Sequence, residues 1–526
     1  MVGLFFCLNM HSIQDQHHFS TSSPTGKWTL VSTILASSMA FIDSTALNVI
    51  LPSLQKDLSA DATQLFWVLN SYLLMLGALI VLGGSLGDKK GRVLIFQMGI
   101  LLFSVGSVLC GLSGSIQQLI IFRGIQGIGG ALMIPGSLSI ISATFKIDEK
   151  GKAIGIWSAV TTIVTICGPI LGGALADMGL WRWIFYLNVP LSIAALVILN
   201  LKVPETKDLS DSSVDWFGAI VFTVSLGLLT WGLLEIPDWG WNGLRTILPI
   251  SIGSLGLILF LVIEARVTHP MVDLSLFRSR TFTAVNLLSF FLYAGLGGAI
   301  LFLSLNLVQI QGYTQLQAGL TFLPFSFLMI LLAARAGRLT DRFGPRNFLI
   351  FGPTITGVGF LFLSTIELTQ GAGDYWSTFF PGILIFAFGM SITVVPLTAT
   401  VMKAVQDHQS GIASGINNSV TRVASTFMNA IGGALAIYLF LYYVDGSLQQ
   451  LDLDQNLVSE LQREAEKFGD ASVPSNIPKN LQTLVANIYN NGFLNVYRII
   501  MMLCAVLAFL SASTAVFGIK AVVKDR

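Results

Sequence analysis

The sequence predicts an all-α integral membrane protein of fourteen transmembrane helices, built as two six-helix bundles with two helices inserted between them. Three observations carry this. Of 526 residues, 53% are hydrophobic and 11% charged, against roughly 25% charged in ordinary globular domains. With a mean hydropathy of +0.75 there is too little charge to cover a water-facing surface. Apolar runs recur from Trp28 to Ile519, each of about 20 residues and so long enough to cross ~30 Å of hydrocarbon as a helix. Finally, two basic loops, GSLGDKKGR (84–92) and GRLTDRFGPR (337–346), repeat one pattern in the two halves of the chain.

Taken in order, residues 1–27 read as a short cytoplasmic tail. They lack the basic region and the cleavage site of a signal peptide, and Met10 competes with Met1 as the start because residues 1–9 add nothing to the pattern. The N-terminal bundle, 28–203, holds runs at 28–51, 65–87, 93–112, 117–141, 152–176 and 183–203. The inserted pair, 214–265, holds 214–236 and 246–265. The C-terminal bundle, 283–519, holds 283–309, 317–337, 347–366, 377–401, 411–443 and 498–519, and residues 520–526 form a second cytoplasmic tail.

An even number of crossings puts both termini on one side. Of the 29 Lys and Arg, twenty flank the spans on that side and seven on the other, with Arg123 and Arg422 inside helices. The asymmetry predicts cytoplasmic termini and a multi-pass protein of the cell (inner) membrane, in contact with lipid. The long loop 444–490 then lies outside. Two stretches in it, VSELQREAEKF and IPKNLQTLVANIY, have the pattern of short amphipathic helices; the loop is either a solvated extension or a docking surface for an extracytoplasmic adaptor protein.

The loop repeat aligns Gly84, Asp88, Lys89, Gly91 and Arg92 with Gly337, Asp341, Arg342, Gly344 and Arg346. Glycine permits tight turns. Asp88 is expected at the start of the third helix, where a carboxylate suits the positive end of the dipole, with Lys89 and Arg92 pairing across the inner face. The repeat reads as a conformational latch between helices.

Two charges stand where the surroundings are hydrocarbon. Asp43, in FIDSTALNVILP (41–52), lies about 12 Å below the outer end of the first helix, and Arg123, in FRGIQGIGGALMIP (122–135), about 9 Å below the outer end of the fourth. An acid and an arginine at one depth can pair, which reduces the cost of burying each. Gln126 falls one turn from Arg123 on the same face. Further along, TICGPILGGAL (165–175) combines Pro169 with Gly168, Gly172 and Gly173, a bent helix with a surface for close approach. SGINNSVTRV (414–423) puts Asn417, Asn418 and Arg422 inside the thirteenth run.

Several functions are excluded. No GxxxxGK[ST] phosphate loop is present, so the chain does not drive itself with ATP. Cys7, Cys110, Cys167 and Cys504 are scattered, without metal-ligand or disulfide spacing. No cofactor, metal site or catalytic constellation is expected; an enzyme has no support.

FIDSTALNVILP, GSLGDKKGR, RGIQGIGG, GPILGG and WRWIFYLNVP (181–190) together resemble the fourteen-helix drug:proton antiporters of the major facilitator superfamily, the EmrB/QacA type. LFRSRTF (276–282), YTQLQAGLTFLP (313–324), GRLTDRFGPR and GIASGINN (411–418) extend the resemblance to about residue 519. The antiporter pattern usually carries two more glycines before GP. Gly155 stands at the first spacing, Val164 at the second. VASTFMNA (423–430) also replaces a glycine-rich stretch.

The resemblance implies export of amphipathic drugs or toxic organic compounds in exchange for protons, by alternating access, with Asp43 and Arg123 as the coupling pair and the proton gradient in place of a cofactor. Asn70, Tyr72, Gln126, Asn286, Tyr293, Asn306, Gln309, Asn417, Asn418 and Arg422 are the candidates to line a substrate cavity. Two other readings stand beside it. One is a proton-coupled carrier of a defined metabolite, siderophore or lipid precursor; PETK (204–207) resembles a sugar-porter signature, but it follows the sixth helix, and Pro-Glu-Thr suits a helix-ending loop in any case. The other is a non-transporting membrane partner or sensor.

Overall fold

The computed structural model describes residues 19–206, 215–268, 270–406, 409–451, 453–474, 477 and 479–519. The expectations for residues 1–18, Lys207 and the tail 520–526 lie outside them, as does the side chain of Asp341. Fourteen described helices are long and apolar enough to cross a membrane. The first six are α1 (Pro24–Leu58), α2 (Ala62–Lys90), α3 (Arg92–Leu112), α4 (Ile116–Thr144), α5 (Ile147–Asp177) and α6 (Asn188–Lys202). The inserted pair is α7 (Trp216–Leu234) and α8 (Leu244–Glu264). The remainder are α9 (Arg280–Leu305), α10 (Leu323–Phe343), α11 (Arg346–Ser364), α12 (Phe379–Lys403), α13 (Ser410–Leu448) and α14 (Lys479–Gly518).

The duplication is visible in the packing. In α1–α6 the first helix packs on the fifth and sixth, the second on the fourth, and the third on the fourth and sixth; α9–α14 repeat the same pairs. The inserted α7 and α8 pack on each other, and α7 lies against α2 and α13 along the outside of the seam between bundles. This is the architecture the paired loops predicted.

The boundaries differ from the apolar runs in instructive places. The first helix begins at Pro24, capped by Ser23, because proline's missing N–H costs nothing in a first turn. Residues 19–23, expected as tail, are anchored: Phe19 N–H donates to Thr144 O at 2.8 Å and Ser20 Oγ to Glu149 Oε1 at 2.8 Å. The last helix starts nineteen residues before the predicted 498, at Lys479. IPKNLQTLVANIY is therefore mostly its first turns rather than a separate loop helix, since nothing between Lys479 and Arg498 breaks it and Tyr489 and Tyr497 are buried. The other loop stretch does form its own helix, Gln455–Ala465, with Leu461 and Ala465 turned inward.

The loop repeat ends α2 and α10 at glycines with positive φ, +120° at Gly91 and +80° at Gly344, a conformation only glycine adopts freely. Asp88, expected at the start of the third helix, is instead in the last turn of α2. It accepts Arg92 Nε at 2.7 Å across the Gly91 turn, while Lys89 is exposed. The N-terminus of α3 is held by Glu205, whose Oε1 and Oε2 accept the Val93 and Leu94 N–H groups, each at 2.9 Å. A carboxylate there satisfies two unpaired donors and faces the positive end of the dipole. Glu205→Ala is expected to cost about 1 kcal/mol, the usual worth of a lost N-terminal cap, read as a lower midpoint of thermal unfolding in detergent with transport still measurable.

Call the end that carries the two repeated loops the basic end, and the other the far end. The bundles touch at the far end and along the upper part of the α2–α13 seam, down to the level where Ser419 Oγ donates to Gly77 O at 2.7 Å. Toward the basic end they part: a Cβ at Gly155 or Gly415 would meet nothing within 4 Å. Among the described residues, the hydrogen bonds between the bundles lie at the far end and along the upper seam.

Candidate functional site

The site begins with glycines. A Cβ at Gly127 would come within 2.5 Å of Tyr72 O, and one at Gly129 within 2.3 Å of Phe103 N. Those glycines let α4 press against α2 and α3, and that contact carries Arg123 and Gln126, one turn apart, up to α1. There Arg123 Nη1 donates to Asp43 Oδ2 at 2.5 Å and to Gln126 Oε1 at 2.7 Å, while Gln126 Nε2 donates to Asp43 Oδ1 at 2.9 Å. Three side chains close a ring.

The acid and the guanidinium are each about 1% exposed. Arg123 also lies 4.3 Å from the centroid of the Tyr72 ring and donates from Nε to Val68 O at 3.5 Å. Tyr72 Oη and both side-chain polar atoms of Asn70 are buried without a protein partner. The depth argument thus brought together the right pair, and the one-turn spacing brought in Gln126.

The other candidates divide into groups. Asn417 donates from Nδ2 to Asn286 Oδ1 at 3.1 Å and to Ser289 Oγ at 2.8 Å, joining α9 to α13. Tyr293 and Arg422 lie within electrostatic reach of each other, as do Arg422 and Tyr72; Asn418 is exposed one turn from Arg422. Asn306 and Gln309 lie elsewhere. They occupy the five-residue π turn Asn306–Ile310 at the far end of α9, and Gln309 Nε2 donates to Gln55 Oε1 at 3.0 Å in the seal. Both belong to the contact between the bundles at the far end, rather than to the group around Arg422.

In α5, Gly168 and Gly172 face Thr45 and Ala46 of α1, and a Cβ at Gly173 would meet Gln315 O at 2.4 Å. Pro169 lies on the same surface, with its carbonyl against Gly319. Gly155 takes no part in this contact. Sequence reasoning missed Asp177, which completes the joint: Oδ1 and Oδ2 accept the Gln315 and Leu316 N–H groups, each at 2.9 Å, capping the short helix Gln315–Leu320 of the other bundle. An acid at a helix end is too ordinary a signal to have revealed it. At the same end Arg182 and Trp181 of the WRWIF stretch both reach Asp57 Oδ2, at 2.5 and 3.2 Å. Burial raises the Asp470 carboxyl, an effect opposed by Lys467 and by Lys56 of the first bundle.

Two repeated bundles around one seam, with a buried Asp–Arg–Gln ring beside it, are the plan of a membrane transporter. The chain belongs to the Major Facilitator Superfamily, whose family model matches residues 33–429. It is 30% identical over 507 residues to the tetracenomycin C resistance and export protein of Streptomyces glaucescens, covering 95% of this chain and 92% of that protein. It is 33% identical over 413 residues to the multidrug resistance protein Stp of Mycobacterium tuberculosis, covering 78% of this chain and 76% of that one. The fold is similar to that of a bacterial homolog of the human lysosomal transporter Spinster, with a TM-score of 0.64 at 18% identity over 95% of this chain and 100% of that one.

Proposed function

We propose that the protein is a proton-driven exporter of amphipathic small molecules, drugs and toxic organic compounds among them, working by alternating access with Asp43 as the proton carrier. The observation that carries this reading is the closed Asp43–Arg123–Gln126 ring. Ionised, Asp43 accepts from both partners and fixes α1 to α4. Protonated, it loses its charge and an acceptor site, and the guanidinium turns toward Tyr72 and Val68 O. One proton therefore changes the contact between α1 and α4, beside the α2–α13 seam. Gln126 keeps the carboxylate oriented while the guanidinium moves.

A proton entering down ~100 mV gains ~2.3 kcal/mol and one pH unit adds ~1.4. Together these sustain a gradient of roughly a few hundredfold for a neutral substrate. A monovalent cation leaving against the same potential cancels the electrical part, whereas an anion leaving is helped by it. The resistance and export named in the relatives support the outward direction of transport.

The excess of Lys and Arg at the basic end supports a cytoplasmic location for that end and for both termini, in the cell (inner) membrane. The loop helix Gln455–Ala465 spends its apolar face on the body of the protein, so an adaptor would meet only its polar face.

The test is transport of fluorescent amphipaths of positive, zero and negative charge in inverted vesicles, first with a pH gradient and then after an ionophore collapses it. Movement that stops on collapse is expected. Movement that persists, or none for any probe, would sink the reading.

A further inference from the structure

The buried ring accounts for Asp43 and Arg123 but leaves a third intramembrane charge unexplained. Arg422 is half-buried on α13 where that helix touches α2; a Cβ at Gly77 would lie 3.1 Å from its own Cβ. Its Nε has no protein partner, and among the described residues no carboxylate pairs with it. The described buried acids are Asp43, committed to Arg123 and Gln126, and Glu264, the last residue of α8, which accepts the Val272 N–H. The middle of the membrane region thus holds one uncompensated positive charge, and a charge kept there without a partner marks a ligand or ion path.

Its surroundings say what kind. Arg422 shares a helix face with Thr426 and Asn429, and α2 presents Asn70 on the same seam through the spacing Phe66, Asn70, Gly77. Asn70 and Asn429 carry buried amide oxygens with no partner. The phenols of Tyr72 and Tyr293 lie within electrostatic reach of the guanidinium. Exposed Asn418, one turn toward the basic end, connects this group to the open side. A guanidinium is a planar fork matched to carboxylate and phenolate oxygens. Aromatic walls and nearby amides suit a ring system carrying hydroxyls or carbonyls. A lipophilic cation would meet the same guanidinium in a low-dielectric site with no free carboxylate to receive it.

We propose that Arg422 is the charge contact of the substrate, and that the transporter selects aromatic weak acids, bound as carboxylate or phenolate, over lipophilic cations. This rests on the export reading for its role in the cycle but not for its test. Equilibrium binding is measured without any gradient, so a pump that fails and a substrate class that fails give different results.

The experiment titrates detergent-purified protein with 1-hydroxy-2-naphthoate and, separately, with ethidium, following fluorescence, for the wild type, Arg422→Gln and Arg422→Lys. The wild type is expected to bind the naphthoate at least roughly tenfold more tightly than ethidium. Arg422→Gln is expected to weaken naphthoate binding on the order of tenfold to a hundredfold, the range for loss of a charge-assisted hydrogen bond, and to leave ethidium unchanged or tighter. Arg422→Lys restores part of the loss. The proposal is overturned by wild type that prefers ethidium, by wild type without measurable naphthoate binding, or by naphthoate binding indifferent to Arg422→Gln. Should Arg422→Gln fail to fold, the wild-type preference and the Arg422→Lys variant still decide.

Discussion

Replacing Asp43 by asparagine is expected to abolish proton-driven export while leaving substrate binding intact, and to destabilise the protein. Asparagine has nearly the same shape and can still accept from Gln126 or Arg123 through its single oxygen. What it cannot do is titrate, or neutralise a guanidinium that is about 1% exposed. Removing one partner of a buried ion pair costs about 3–5 kcal/mol, because the other charge is left uncompensated. The two consequences separate in a double variant: Asp43→Asn with Arg123→Gln should recover much of the thermal stability and none of the coupling. The check is the unfolding midpoint in detergent beside export in vesicles. Coupled export by Asp43→Asn would show that the ring is structural, and that the proton is carried elsewhere.

Gly173→Ala is expected to hold the far end open. The added Cβ would stand 2.4 Å from Gln315 O and 2.7 Å from Leu316 Cα, and backbone cannot step aside as a side chain can. Overpacking of this kind costs about 1–3 kcal/mol. The clash exists only while the seal is closed, so the cost falls on one conformation and shifts the population roughly tenfold or more toward the other. Active export should fall by about the same factor, with substrate binding kept. Spin labels at the exposed far-end positions Gly114 and Trp376, one in each bundle, in a Cys7→Ser, Cys167→Ser background, should report longer distances. Gly155→Ala serves as the control, since its Cβ meets nothing in this conformation. A far-end distance unchanged by Gly173→Ala would mean that the seal does not depend on this contact.

What was legible beforehand follows the physics of each signal. Span number came from run length, which hydrocarbon thickness sets, and the two-bundle plan from loops that repeat in sequence. Asp43 and Arg123 could be matched because helical rise converts residue number into depth, and burial forces two such charges together. Glu205 and Asp177 were invisible for the opposite reason. Each serves a helix from which it is far away in the chain, Glu205 that starting at Arg92 and Asp177 that starting at Gln315, and surface acids near helix ends are common. Gln309 shows the limit of reading polarity alone: a glutamine that bonds across the far-end contact looks the same in sequence as one beside Arg422. The start of α14 at Lys479 was hidden because polar residues facing outside the membrane interrupt hydropathy without interrupting the helix.

The turn after the loop helix gives the far end a further property. Gln55 Nε2 donates to Lys467 O at 2.9 Å, and its Oε1 accepts Gln309 Nε2, so one amide pins both the loop and the end of α9 to α1. In the proposed transport cycle these bonds break and re-form on every turnover, at the end away from the basic end. With the basic end cytoplasmic, as proposed, an antibody or peptide that grips the 467–470 turn is expected to jam the cycle without crossing the bilayer and without resembling anything the protein carries. Resistance to such an inhibitor could not arise by pumping it out.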